Sequence, residues 1–254
     1  MSCRSPIGWS VNSPPLTERG ERRIRPVHAL ALAQASGSPW REFSRELRAS
    51  LSKLIAVVRL AAVVLGIVAI VATLADTATR ATINPFNFFG FFTMQSNIIW
   101  LIVIAITGVV VLRGKKQSGL LLLARGCATA YMILVGVIYN ALLAGQEGGV
   151  ALEWANNVVH IILPIYAVLD WVLFADRPSL AWKRLWVSLI YPMVWVVVVL
   201  IRGATDGWVP YPFLDPATGY GLVFTYVLGI AVLTVVTAAI VWALSRLKLV
   251  KLRA

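Results

Sequence analysis

Residues 54–75 read LIAVVRLAAVVLGIVAIVATLA, twenty-two positions with a single charge, Arg59. A helix of that length rises about 33 Å at roughly 1.5 Å per residue. That matches the ~30 Å hydrocarbon layer of a bilayer, and no soluble core needs so long an unbroken apolar rod. Five further runs follow, near Phe88 to Leu112, Leu120 to Ala144, Leu152 to Phe174, Trp182 to Ile201 and Leu222 to Leu244. The composition agrees: 59% of the 254 residues are apolar, 13% are charged, and the mean hydropathy is +0.80. An ordinary globular domain is about half apolar and a quarter charged. The expectation is an all-α integral membrane protein, six transmembrane helices in one bundle, with both termini cytoplasmic.

The orientation rests on where the basic residues fall. The net charge of +12 would suggest nucleic acid in a soluble protein, but here Lys and Arg gather at the edges of the apolar runs. Arg113, Lys115 and Lys116 occupy one short loop, Arg177, Lys183 and Arg184 a second, and Arg246, Lys248, Lys251 and Arg253 the tail. All lie on one side of a six-span chain, and basic loops stay cytoplasmic. The opposite loops carry Asp76, Arg80, Glu147, Glu153, Asp206 and Asp215. Membrane lipids are the expected partners, no nucleic acid is expected, and the bacterial cytoplasmic membrane is the expected location. Two cysteines, Cys3 and Cys127, give neither a disulfide framework nor metal-ligand spacing. Two histidines, His28 and His160, cannot supply paired haem ligands within the spans. No metal and no cofactor is expected.

Residues 1–37 read as a disordered basic tail, rich in Arg, Ser and Pro up to Arg25. Residues 38–53 read as an interfacial amphipathic helix, because Trp40, Phe43, Leu47, Leu51 and Leu54 recur at three- and four-residue steps. Pro39 suits the first position of that helix; a solvated linker is the alternative. Residues 54–245 form the six-helix domain and 246–254 a basic tail. No internal repeat is visible, which disfavours an inverted-repeat transporter.

Polar side chains inside a span are costly and are usually satisfied by a partner, a cavity or a function. Arg59, Arg125 and Asp170 lie at similar depths from the basic side. The arginines can snorkel toward the headgroups, or pair with Asp170 as a structural ion pair. Toward the other side, Thr93, Gln95, Ser96 and Asn97 follow a Phe-rich stretch, and Thr93 and Asn97, four apart, share a helix face. Asn140, Asn156, Asn157 and His160 fall at the same level. Pro164 cannot donate to the carbonyl of His160, which predicts a kink and an unpaired acceptor beside the imidazole. Pro192 likewise frees the carbonyl of Ser188. The segment from Gly203 to Tyr220, stiffened by Pro210, Pro212 and Pro216, is either a lid over this cluster or an aromatic belt at the membrane surface.

The stretch Phe91-Phe92-Thr93-Met94-Gln95-Ser96-Asn97, the string His160-Ile161-Ile162-Leu163-Pro164 and the loop Tyr211-Pro212-Phe213-Leu214-Asp215 together resemble the bacterial Pr6Pr family of six-span membrane proteins. The resemblance covers about residues 50–245. That group is more distantly similar to the animal androgen-induced and androgen-dependent TFPI-regulating proteins, membrane hydrolases of fatty-acid esters of hydroxy fatty acids. By that resemblance Thr93 is the nucleophile and His160 its base. The imidazole would take the threonine proton, the threonine oxygen would attack an ester carbonyl, and water would release the acyl group. An oxyanion donor is then needed, with Asn97 ranked before Asn156 and Asn157. No acid is placed to orient the imidazole, since Glu153 and Asp170 lie about 10 and 15 Å along the helix. The alternative is a non-enzymatic protein that binds a lipid or small molecule with the same side chains.

Overall fold

A computed structural model describes residues 39–144, 152–174, 176–247 and 249. The expected tail over 1–37, Glu147 and most of the basic C-terminal tail lie outside the described residues. Among the described residues every regular element is a helix, with no strand. Helix α1 spans Pro39–Arg80, α2 Pro85–Phe88, α3 Phe92–Leu112, α4 Gly119–Ile138, α5 Glu153–Asn157, α6 Leu163–Leu173, α7 Val187–Thr205 and α8 Tyr220–Leu244. Six helical segments are long and apolar enough to cross a membrane, the build of a multi-pass membrane protein. Contacts divide the chain after Ser44. Of the first unit only residues 39–44 are described, a helical stretch with Trp40 and Phe43 exposed. In the second unit no break marks residue 53 or 54: α1 continues through that boundary without interruption.

Local sequence explains several helix starts. The Asn84 side chain accepts the Phe86 N–H at 3.0 Å, and Pro85 takes the first position of α2, where no N–H is needed. Ser118 caps α4 by accepting the Leu121 N–H. Helix α4 is the hub, packing against α3, α6 and α8. Gly126 also leaves room for the connection after α6: a Cβ there would lie 2.5 Å from Leu180 Cδ1. Three apolar clusters result, around Trp100 and Met132, around Trp195 and Leu214, and around Trp171 and Trp242.

The most expensive residues are solved together. Arg59 of α1 places Nε 2.7 Å from Asp170 Oδ1 and Nη1 2.7 Å from Asp176 Oδ2. Arg125 of α4 places Nη2 2.5 Å from Asp170 Oδ2 and Nη1 2.7 Å from Asp176 Oδ1. Two guanidiniums and two carboxylates thus close a ring whose members are all buried. The arginines do not snorkel. Asp176, from the connection after α6, is a member that span-by-span reading passes over, because it lies beyond the apolar run. Gln117 donates to the same Oδ2 at 3.0 Å. Burial by itself would raise the Asp176 carboxyl; Arg125 and Arg59 outweigh it and hold it well below the usual carboxylate range.

Breaking this ring should be costly. Asp170→Asn leaves two buried guanidiniums sharing one carboxylate, and should lower unfolding stability in mixed micelles by about 3–5 kcal/mol. Asp206→Asn, at a half-exposed pair, should cost under about 1 kcal/mol. Because the native Asp176 carboxyl is depressed, its contribution is present above the ordinary carboxylate range and is lost as pH falls below it. Equal losses for the two variants would show that the ring does not hold the helices.

Candidate functional site

At the end of the bundle opposite the ionic ring, α3 begins at Phe92, so Thr93 sits in its first turn. Elsewhere, helical threonines turn back on their own helix: Thr73, Thr107, Thr129 and Thr234 donate to the carbonyl four residues earlier at 2.7–2.9 Å. Thr93 does not. The Gly90 carbonyl just upstream is taken by Trp195 Nε1 at 2.8 Å. The Thr93 side chain instead lines a common slot with Tyr211, from the connection between α7 and α8. Burial pushes the Tyr211 phenol above its ordinary value, and the Thr93 contact acts against the shift.

Thr93, Tyr139 and Tyr211 line one slot, whose remaining wall is apolar, including Phe92, Leu134, Ile138, Trp195 and Ile230. The void left between them is about 20 Å³, room for a single water. No Asp, Glu, Lys, Arg or His is part of the lining.

Asn97 is fully buried, and its Nδ2 donates to the Thr93 carbonyl at 2.9 Å and to the Val159 carbonyl at 3.1 Å. Both amide hydrogens are therefore committed to backbone, which ties α3 to the fourth span and leaves neither for an oxyanion. Asn156 Nδ2 donates to the Tyr139 hydroxyl at 2.6 Å. Asn157 is half-buried and forms no hydrogen bond with the other site residues. Asn140 is exposed and donates to the Gly136 carbonyl.

His160 is half-buried. Its Nδ1 lies 3.1 Å from the Asn156 carbonyl, and its ring stacks on Tyr139 with centroids 4.1 Å apart. A carbonyl can only accept, so Nδ1 carries the proton and Nε2 is the basic nitrogen. Among the described residues no hydrogen bond joins Thr93 to His160. Tyr139 is what they share, lining the slot with one and stacking on the other.

The disturbance expected from Pro164 is taken up in a π turn. Val158–Ile162 is π-helical, with the Leu163 N–H bonded to the Val158 carbonyl, and Tyr139–Leu143 at the end of α4 is a second π turn. Each holds one partner of the Tyr139–His160 stack. Such turns recur at functional positions. Gly136 lets the two helices close: a Cβ there would lie 3.2 Å from Pro164 Cβ.

Tyr139 and Tyr211 are site residues that sequence reading missed. For Tyr139 the available signal is a phenol at the level of Asn140 and Asn156; for Tyr211 it is a lone hydroxyl among the prolines of the loop. The loop does cover the Thr93 end, with Tyr211 and Leu214 buried and Phe91 edge-on to Trp208 and Tyr211. Among the described residues no cluster of His, Cys, Asp or Glu could hold a metal. No protein-family model matches the chain, and neither the curated proteins nor the solved structures contain a match to it.

The closeness of the loop gives a test. A Cβ at Gly90 would lie 2.5 Å from Trp208 Cη2 and 2.6 Å from the Phe86 carbonyl. Gly90→Ala should therefore cost about 1–3 kcal/mol of thermal stability and red-shift tryptophan emission. Gly136→Ala, facing a gap of 3.2 Å, should cost less. The reverse order would show that the loop is not seated on α2 and α3.

Proposed function

We propose that this chain is a membrane-embedded lipid-binding protein whose slot at Thr93 takes the uncharged polar group of a lipid, an ester carbonyl above all. One observation carries the reading: Thr93, Tyr139 and Tyr211, each bearing a hydroxyl, line a void whose lining has no Asp, Glu, Lys, Arg or His. Hydroxyls can donate to a neutral carbonyl, whereas a buried carboxylate or phosphate would find no countercharge. The lipid's tail would run along the apolar wall. The void is water-sized, so entry requires the segment around Tyr211 and Phe213 to move outward.

The basic loops support a bacterial cytoplasmic membrane location with both termini cytoplasmic, which makes the Thr93 end the external one. The exposed Trp40 and Phe43 suit a headgroup layer. The quoted sequence strings support kinship with the Pr6Pr group.

Ester hydrolysis is the second reading, favoured by a Thr93 hydroxyl that its own helix does not claim. Thr93 would be the nucleophile and His160, through Nε2, the base. Tyr139 would have to yield for the imidazole to arrive, and the phenol of Tyr211 would replace Asn97 as the oxyanion donor.

Detergent-purified protein should bind a fluorescent neutral acyl ester in preference to the matching fatty-acid anion. Thr93→Val and Tyr211→Phe should each weaken ester binding about five- to tenfold, one hydrogen bond's worth. Equal affinity for ester and anion would sink the binding reading. Labelling by a fluorophosphonate and ester turnover, both lost in Thr93→Ala and His160→Ala, would establish hydrolysis.

A further inference from the structure

A larger cavity of about 380 Å³ lies beside the slot, where the last turns of α7 meet the α2 turn. Its lining combines the amides of Asn84 and Gln95, the Arg202 guanidinium and the Asp206 carboxylate with Trp208 and the apolar side of Val198. Val198 and Arg202 are four apart, hence on one face of α7. Val198 is exposed on that face. The cavity therefore runs from a charged mouth onto the flank of a membrane helix.

The charged groups are positioned but not saturated. Asp206 Oδ2 receives Arg202 Nε at 2.9 Å and Nη2 at 2.7 Å, and Nη2 also reaches Asn87 Oδ1 at 2.7 Å. The guanidinium carbon lies 4.2 Å from the Trp208 ring centroid. Nη1 has only the Phe86 carbonyl, at 3.4 Å, beyond the range of a good N–H···O bond. Asp206 Oδ1 takes one bond, from the Trp208 N–H at 3.0 Å, and the side chain is 49% exposed. Each carboxylate oxygen can accept a second. The Gln95 amide forms no side-chain hydrogen bond among the described residues. A donor of positive charge and an acceptor of negative charge thus face one space, rimmed by amides.

We propose that this cavity binds the headgroup of a zwitterionic phospholipid with a primary ammonium. The phosphate takes the free donor of Arg202, the ammonium donates to Asp206, and an acyl chain lies along Val198. Guanidinium suits phosphate by charge and geometry. An anionic headgroup lacking the ammonium competes with the Asp206 carboxylate for the single cation, Arg202, and leaves the site one negative charge in excess. A quaternary ammonium cannot donate to that carboxylate, and Arg202 already covers the Trp208 face that would otherwise attract it.

The experiment is native mass spectrometry of the full chain in detergent, titrated separately with phosphatidylethanolamine, phosphatidylcholine and phosphatidylglycerol of matched chains. Wild type should retain the ethanolamine lipid at least about fivefold more tightly than the other two, the scale of one charge-assisted hydrogen bond. Asp206→Asn should abolish that preference while leaving residual binding of all three. Arg202→Gln should weaken all three, and Arg202→Lys should restore part of the loss. Equal retention of the three lipids by wild type, or an unchanged preference in Asp206→Asn, would overturn the proposal. So would soluble glycerophosphoethanolamine competing as well as the intact lipid, since the chain along α7 would then contribute nothing.

Discussion

The closed ring of Arg59, Arg125, Asp170 and Asp176 is the constraint on which the rest of the bundle depends. Each of these charges alone would be prohibitive in a membrane-spanning segment or against one. Paired in alternation, every carboxylate oxygen meets a guanidinium nitrogen, and the assembly carries no net charge. The geometry fixes three things that apolar packing leaves free. It sets the rotation of α1, whose other faces carry exposed valines and isoleucines of similar size. It sets the height of α1 against α4. It also pins the connection after α6, through Asp176, to the same point. Hydrophobic surface against lipid has little preference for one rotation over another; a four-membered ion ring has only one.

With that end fixed, the opposite end can hold weaker polar groups. Asn97 bridges α3 to the fourth span through two backbone carbonyls, and Trp195 takes the carbonyl of Gly90. The Trp195 bond occupies the carbonyl three residues before Thr93, whose side chain shares its slot with Tyr211. The π turns around Tyr139 and His160 are the second consequence. Where Pro164 interrupts the hydrogen-bond ladder, the fourth span widens rather than bending freely, and the imidazole comes to rest on the Tyr139 ring. Local covalent constraint and tertiary packing thus shape the slot jointly.

Several features were legible from residues alone because they depend on one segment at a time. Span positions follow from runs of apolar side chains, and five of the six agree with the helices to within a few residues. The first is longer, since the amphipathic stretch before Leu54 and the apolar run after it both satisfy helical backbone and nothing between them ends a helix. The polar residues that matter also stand out, because Thr93, Asn97, Asn156 and His160 are rare types in apolar surroundings. Their partners do not. Asn97 reads as a donor for chemistry, yet one of its amide hydrogens goes to the backbone of its own helix and the other to that of a neighbouring span. Tyr139 and Tyr211 look like ordinary interfacial aromatics until the helices are assembled.

Sequence by itself determined that this chain is helical, how many membrane-length segments it has and which side chains had to be compensated, because those follow from length, hydropathy and the cost of burying charge. Only the tertiary structure decided who compensates whom: that two arginines share two aspartates, that Tyr139 stands with both Thr93 and His160, and that Arg202 and Asp206 open onto a common cavity. The physical reason is range. Hydropathy and helix rise are properties of neighbours along the chain, whereas hydrogen bonds, ion pairs and ring stacks depend on distances set by helix rotation and height, to which a pattern along one strand of sequence is blind.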